Sequence, residues 1–274
     1  MPYYKKTITS GNIVEVKVYY ATRDGKQISR GCNVDETKEE QEARNKREAE
    51  KNLTRLIACN FDGKAGDISM TLAHKEEITE EEARAEARKA IEALRRIRRK
   101  RGLPELKYII VTEKQGRWHH HIITNAGITL DDLVAVWGDR GRKHISIAET
   151  DDYETVLRLA KYMISDYKTT KGKRDAKNGK EKRRKYERRW NGSRNLAKPK
   201  IEKVEIKKPN IHGRPRVPKG AKLLPNWYTG CDAMGNIYKC YAYMIRNTNG
   251  EGKAKPTAEG PKRKKKQERR RKSQ

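Results

Sequence analysis

Residues 106–124 read LKYIIVTEKQGRWHHHIIT, two apolar runs of strand character joined at Gly116. Alternate side chains of a strand share a face, so His119 and His121 point one way and His120 the other. The spacing is compatible with two turns. A three-residue loop over Gln115, Gly116 and Arg117, with the glycine at positive φ, pairs Glu113 with His119 and adds a carboxylate to the two imidazoles. A two-residue loop pairs Glu113 with Trp118 and turns the carboxylate to the opposite face. Two imidazoles and a carboxylate suit Mn²⁺ or Mg²⁺ only as an open site that keeps positions for water or phosphate oxygens. The same residues also fit a polar edge strand whose histidines only meet solvent.

Composition narrows the choice of partner. The 274 residues allow one or two domains, and the formal net charge of +29, with the excess concentrated after residue 168, makes a polyanion the expected ligand. Only 34% of residues are hydrophobic and 38% are charged, so part of the chain is expected to stay outside any packed core. Cys32, Cys59, Cys231 and Cys240 form no CxxC pair and no signal peptide is evident, which predicts reduced thiols and a cytoplasmic setting. No apolar run approaches the roughly 20 residues of a membrane span. A GxxxxGK[ST] loop is missing too, which argues against a fused P-loop ATPase.

Outward from the hairpin, residues 67–74 (DISMTLAH) place Ile68, Met70 and Leu72 on one strand face and Ser69 and Thr71 on the other, a hydroxyl face for DNA or for a neighbouring strand. Thr79 and Glu82 form a capping box for a helix to about Arg101, whose Ala87, Ala90, Ile91, Leu94 and Ile97 make one stripe. A Thr129/Asp132 box starts a second helix to Trp137, and a strand follows near Lys143 to Glu149. The order βαββαβ predicts an α+β fold of ferredoxin or RRM type, an antiparallel sheet with both helices on one face and the other open to ligand.

A helix from Asp152 to about Lys168 follows, with Val156, Leu157, Leu159, Ala160, Met163 and Ile164 in its apolar arc and Tyr153 and Tyr167 packing inside it. Tyr162 falls roughly 60° beyond Leu159, outside that arc, and Lys161 flanks the other side. Residues 168–200 are dominated by Lys and Arg, with Tyr186 and Trp190 interleaved; Arg183, Arg184, Lys185, Arg188, Arg189 and Trp190 suit phosphate contact with occasional stacking.

The ends read more simply. Residues 12–20 look like a strand before an Asp24-Gly25 turn and a partner near Lys26 to Arg30, and residues 35–59 look like a charged helix packed by Leu53, Leu56 and Ile57. Residues 199–225 read as a proline-bearing linker, residues 226–245 as a hairpin around Gly235 and Asn236 that can bring Cys231 near Cys240, and residues 251–274 as a disordered basic tail. The expected organisation is therefore 1–59, hairpin and helix; 60–200, the βαββαβ unit with a basic extension; 201–250, linker and hairpin; and 251–274, tail.

Three segments together resemble the motifs of the HUH endonuclease superfamily, nearest to the rolling-circle replication initiators of small phages and plasmids. NF at 60 and 61 with DISMTLA is similar to the first motif, WHHHII at 118–123 to the second and LAKYM at 159–163 to the third; SRNLAKP at 193–199 resembles a segment just downstream. The resemblance spans roughly residues 55–200. It implies a metal-dependent single-strand DNA endonuclease and strand transferase in which Glu113, His119 and His121 bind Mn²⁺ or Mg²⁺, Tyr162 is the nucleophile and Lys161 is the motif lysine. It further implies a 5'-phosphotyrosine link, a 3'-hydroxyl primer, a hairpin origin in single-stranded form, and a host helicase and DNA polymerase as partners. Ser69, Thr71 and Arg117 lie where the motifs would meet DNA. The chain departs from the pattern at His120, where the family has a bulky apolar residue, and at Arg158, where some relatives have a second tyrosine.

Two other functions fit parts of the sequence. A non-catalytic RRM-like module needs exposed aromatics on its central strands, where this chain offers Tyr108 and Trp118 but places His and Glu among them. A relaxase or transposase of the same superfamily shares the chemistry and differs in setting.

Overall fold

In this computed structural model, which describes residues 2–21, 37–61, 66–148, 150, 152–164, 190–232 and 235–245, the histidine strand lies inside a sheet and not at its edge. In chain order the elements are β1 (Tyr3–Ser10), β2 (Ile13–Tyr20), α1 (Lys38–Asn60), β3 (Ile68–Ala73), α2 (Glu80–Lys100), β4 (Tyr108–Gln115), β5 (Arg117–Thr124), α3 (Leu130–Trp137), β6 (Lys143–Ile147), α4 (Tyr153–Met163), β7 (Asn191–Gly192), β8 (Lys200–Ile206), β9 (Ala221–Leu223), β10 (Tyr228–Cys231) and β11 (Ile237–Ile245). The fold is α+β with antiparallel sheets, as the βαββαβ order predicts.

The first sheet runs β6-β3-β5-β4-β7, and all its neighbours are antiparallel. β3-α2-β4 and β5-α3-β6 each cross over one intervening strand, so the unit is a pair of interleaved βαβ turns. Alternation then sorts the side chains. Met70, Leu72, Ile110 and Ile122 pack under α2 and α3, while Ile109, Val111 and Ile123 pack on the opposite face against Leu53 and Ile57 of α1 and Val156, Ala160 and Met163 of α4. Helices thus cover both faces, and the face expected to stay open is closed over its middle. At about 25 cal/mol per Å² of apolar surface, it is this double burial that holds the sheet in one register.

Each helix begins where a capping residue dictates. Thr37, Thr79, Thr129 and Asp152 all accept from the N3 amide while the N3 side chain returns a bond. In α2 the expected stripe residue Ile97 is only half-buried; Arg98 is buried in its place. Its guanidinium donates to the carbonyl of Pro104 at 3.0 and 2.8 Å and to that of Ala126, fixing the turn that leads into β4. Polar termini that must be satisfied inside the fold outrank the simple apolar period here.

The second sheet joins the two ends of the chain in the order β10-β11-β2-β1-β8, with β9 on β11. Three details differ from the sequence reading. β2 pairs with β1 upstream through a turn at Gly11 (φ 59°), whose position leaves no room for a Cβ beside the carbonyl of Ala58; residues 24–30 lie outside the described residues. The stretch read as a linker contains β8, antiparallel to β1, and β9, because unpaired edges of β1 and β11 are satisfied by any extended segment that reaches them. Across the β10–β11 hairpin Cys240 faces Tyr228 while Cys231 faces Ile237, so the two thiols are not opposite each other, and Cys59, Cys231 and Cys240 are free. No described helix is long and apolar enough to cross a membrane.

Candidate metal centre

Gly116 adopts φ 71° and closes the hairpin so that Glu113 stands opposite His119, Lys114 opposite Trp118 and Gln115 opposite Arg117. This is the register of the longer loop. His121, two residues on, shares the face. The Nε2 of His121 lies 2.8 Å from Glu113 Oε1 and the Nε2 of His119 lies 3.2 Å from the same oxygen. One ligand atom from each of the three residues falls within 4.8 Å of the others, so the group can hold a metal ion.

Neighbouring groups orient both rings. Thr71 Oγ1 sits 3.2 Å from Nδ1 of His121, and the carbonyl of Arg117 sits 3.2 Å from Nδ1 of His119. With Nδ1–H donating to these oxygens, both Nε2 lone pairs face the carboxylate, the tautomer that metal ligation requires. Three electron-rich atoms converging in this way need positive charge among them, as protons or as a cation. Glu113 is only 3% exposed, and its Oε2 is buried with no hydrogen-bond partner among the described residues. Burial alone would push its carboxyl up, but with protons on the two Nε2 atoms in place of a cation, hydrogen bonds and charge from His119 and His121 outweigh that and hold it below the usual carboxylate range. A buried, ionised carboxylate with a spare oxygen fits a divalent cation.

The middle histidine has a different role. His120 is fully buried on the α2/α3 face, with Nδ1 2.9 Å from Thr112 Oγ1, Nε2 3.1 Å from His74 Nε2 and its ring near Trp137. Burial, then the charge of His74, lowers its pKa to about 3, so it is a neutral packing group. His74 escaped the sequence reading, although its place at the end of DISMTLAH, beside a strand pairing with 119–121, was the available signal.

Tyr162 reaches the cluster from α4. Its ring meets that of His121 edge to face, centroids 4.7 Å apart at 63°, and it remains 51% exposed because its side of α4 is not part of the apolar arc. Lys161 is exposed beside it; Val156, Ala160, Met163 and Ile164 are buried as the arc predicts, and Tyr153 packs half-buried against the same core. Tyr167 lies outside the described residues.

The remaining candidate residues are scattered. Thr71 belongs to the cluster through His121, and Ser69 is half-buried on the same strand face. Arg117 is exposed at the hairpin tip. Trp190 packs half-buried against the core formed with α1 and α4. Arg183, Arg184, Lys185, Arg188 and Arg189 lie outside the described residues.

Fold and site together define an α+β protein that carries a buried Glu/His/His group on the central strands of an antiparallel sheet, with an exposed tyrosine against it. Residues 67–171, which take in β3 through α4, match the family model described as Replication-associated protein ORF2/G2P, and this supports a replication-associated role. No curated protein and no solved structure gives a significant match.

Proposed function

We propose that the chain initiates rolling-circle replication as an HUH-type single-strand DNA endonuclease and strand transferase. The observation that carries this reading is the Tyr162 ring seated on His121, one of three residues able to hold a cation. The Tyr162 oxygen attacks the phosphorus of the scissile phosphodiester, forming an O–P bond; the bond to the 3' oxygen breaks, and that oxygen takes up a proton as the phenol loses one. The protein is left on the 5' phosphate and a free 3' hydroxyl is left for a host polymerase to extend. Attack by a 3' hydroxyl on the phosphotyrosine reverses the step and joins strands.

A free phenol is a weak nucleophile at neutral pH, and Lys161, next in sequence, supplies positive charge for the scissile phosphate. Bound Mn²⁺ or Mg²⁺, held by Glu113, His119 and His121, would polarise the phosphate and offset its developing charge. Thr71 and the Arg117 carbonyl hold the two imidazoles in the ligating tautomer. The His121 ring holds the phenol at the edge of the cluster. A hairpin origin exposed as a single strand and a host helicase complete the setting, within a prokaryotic cytoplasm.

The test uses a 3'-labelled, single-stranded oligonucleotide pool with a randomised core, incubated with the protein and Mn²⁺ and resolved under denaturing conditions. A labelled protein adduct is expected with wild type and not with Tyr162→Phe. An adduct that survives Tyr162→Phe, or none with wild type, overturns the reading.

A further inference from the structure

The second sheet carries a row of aromatic rings and ammonium groups that the site on the first sheet does not use. One of its faces is a core: Val14, Val16 and Val18 are buried there under Ile211. The registers put Tyr4 and Tyr19, Lys17, Tyr238 and Tyr228 and Lys203 on the opposite face, crossing β8, β1, β2, β11 and β10 in turn. Among the described residues, α1 lies over the end of this face where Arg55 pairs with Glu15 and Ile13 enters the core.

Along the row each cation is followed by a pair of rings. Lys203 Nζ lies 4.4 Å from the centre of Tyr4 and 5.8 Å from that of Tyr19; Lys17 Nζ lies 5.5 Å from Tyr19 and 5.2 Å from Tyr238. Tyr4 and Tyr19 are 6.3 Å apart, and Tyr238 and Tyr228 are 6.1 Å apart. Gly230 makes room for the Tyr238 ring, which passes 2.7 Å from where a Cβ would stand, so that ring lies down over β10. Tyr228 is 50% exposed and the other three rings are half-buried. Among the described residues, the carboxylates nearby are Glu15, paired with Arg55, Glu205, opposite Tyr4, and Glu48 of α1, whose charge reaches Tyr228. Four strand spacings of about 4.8 Å give the row a length of roughly 19 Å, enough for a short run of stacked bases.

We propose that this row binds single-stranded DNA, bases on the tyrosine rings and phosphates at Lys17 and Lys203. Rings accept any base face, and ammonium groups beside them meet the backbone that links successive bases. A duplex offers its phosphates but not its base faces, so the row discriminates for the single strand. The choice of DNA rests on the nicking function proposed above; the binding chemistry does not.

Full-length protein carrying Tyr162→Phe, which removes the proposed nucleophile, is titrated by fluorescence anisotropy with a labelled oligothymidylate and with a hairpin duplex. Adding Tyr19→Leu and Tyr238→Leu is expected to weaken single-strand binding by about fivefold or more per ring and leave duplex binding unchanged. Tyr19→Phe with Tyr238→Phe is expected to keep the affinity. Without either pair of substitutions, 5-iodouracil placed in the oligonucleotide is expected to photocrosslink to the peptides bearing Tyr19 or Tyr238. The proposal is overturned if the leucine pair binds the single strand as before, if single-strand and duplex affinities fall together, or if crosslinks form only elsewhere. Because the titration needs no cutting and the adduct assay reads Tyr162 alone, failure of one proposal leaves the other readable.

Discussion

His120 points its Nε2 to within 3.1 Å of the Nε2 of His74, on the side of the sheet away from the two histidines that flank it. Both rings must be neutral or share one proton, and Thr112 fixes the other nitrogen of His120. Replacing His120 by Leu removes the hydrogen-bond partner that buried His74 and Thr112 share, which costs about 1–3 kcal/mol. The expected outcome is a lower melting temperature with Mn²⁺ affinity retained, read by thermal unfolding and by calorimetric titration. A loss of Mn²⁺ binding without loss of stability would place His120 among the ligands.

Thr71→Val keeps the strand and its β-branched shape but removes the hydroxyl that holds Nδ1 of His121. Outer contacts of this kind typically contribute about 10- to 100-fold in metal affinity. Weaker Mn²⁺ binding of that order is expected, with Thr71→Ser close to wild type and the melting temperature little changed.

Mn²⁺ bound only by the folded chain must raise its melting temperature, by mass action, as free Mn²⁺ rises above Kd. Glu113→Gln removes the carboxylate charge while keeping the size. The Mn²⁺-dependent rise is expected in wild type, to vanish with a chelator, and to be absent in Glu113→Gln and in His121→Ala.

Lys239 is buried, and its ammonium donates to the carbonyls of Asn210 (2.9 Å), Gly213 (2.9 Å) and His212 (3.3 Å), clamping the segment between β8 and β9. Lys239→Met leaves these oxygens without that donor. A loss on the order of 2–3 kcal/mol is expected in denaturant unfolding, with Tyr162-dependent adduct formation preserved, since the clamp lies in the second sheet.

Asp132, the N3 partner of Thr129 in the α3 capping box, takes two bonds from Arg101, at 2.7 and 2.6 Å. Burial would raise its carboxyl, but Arg101 and Thr129 outweigh burial and hold it below the ordinary value of 3.8. A depressed folded pKa means the stabilisation is complete above the unfolded value and is lost as pH falls through the folded one. Wild type is therefore expected to lose melting temperature on acidification below about pH 4, and Asp132→Asn to start lower and show a shallower acid limb.

Strand alternation alone placed His119 with His121 and against His120, because a period of two leaves no other choice. Capping boxes at Thr79 and Thr129 and the polar side of α4 at Tyr162 were equally local, being set by neighbours within a turn of helix. Whether Glu113 joined the histidines was not local: one residue of loop length at Gly116 decides the face, and packing of Ile109, Val111 and Ile123 on one side and Ile110 and Ile122 on the other selects the register. The contact between Tyr162 and His121 likewise depends on α4 docking against α1 and the sheet.

What residues 67–164 determined by themselves was a list of elements and the direction of each side chain from its own backbone, since helix and strand periods are properties of consecutive residues. The pairing of β1 and β2 with β8 and β11, some two hundred positions away, was decided only in three dimensions. Extended segments carry no address for a distant partner, and only burial of the shared valine face around Ile211 makes one pairing better than the rest.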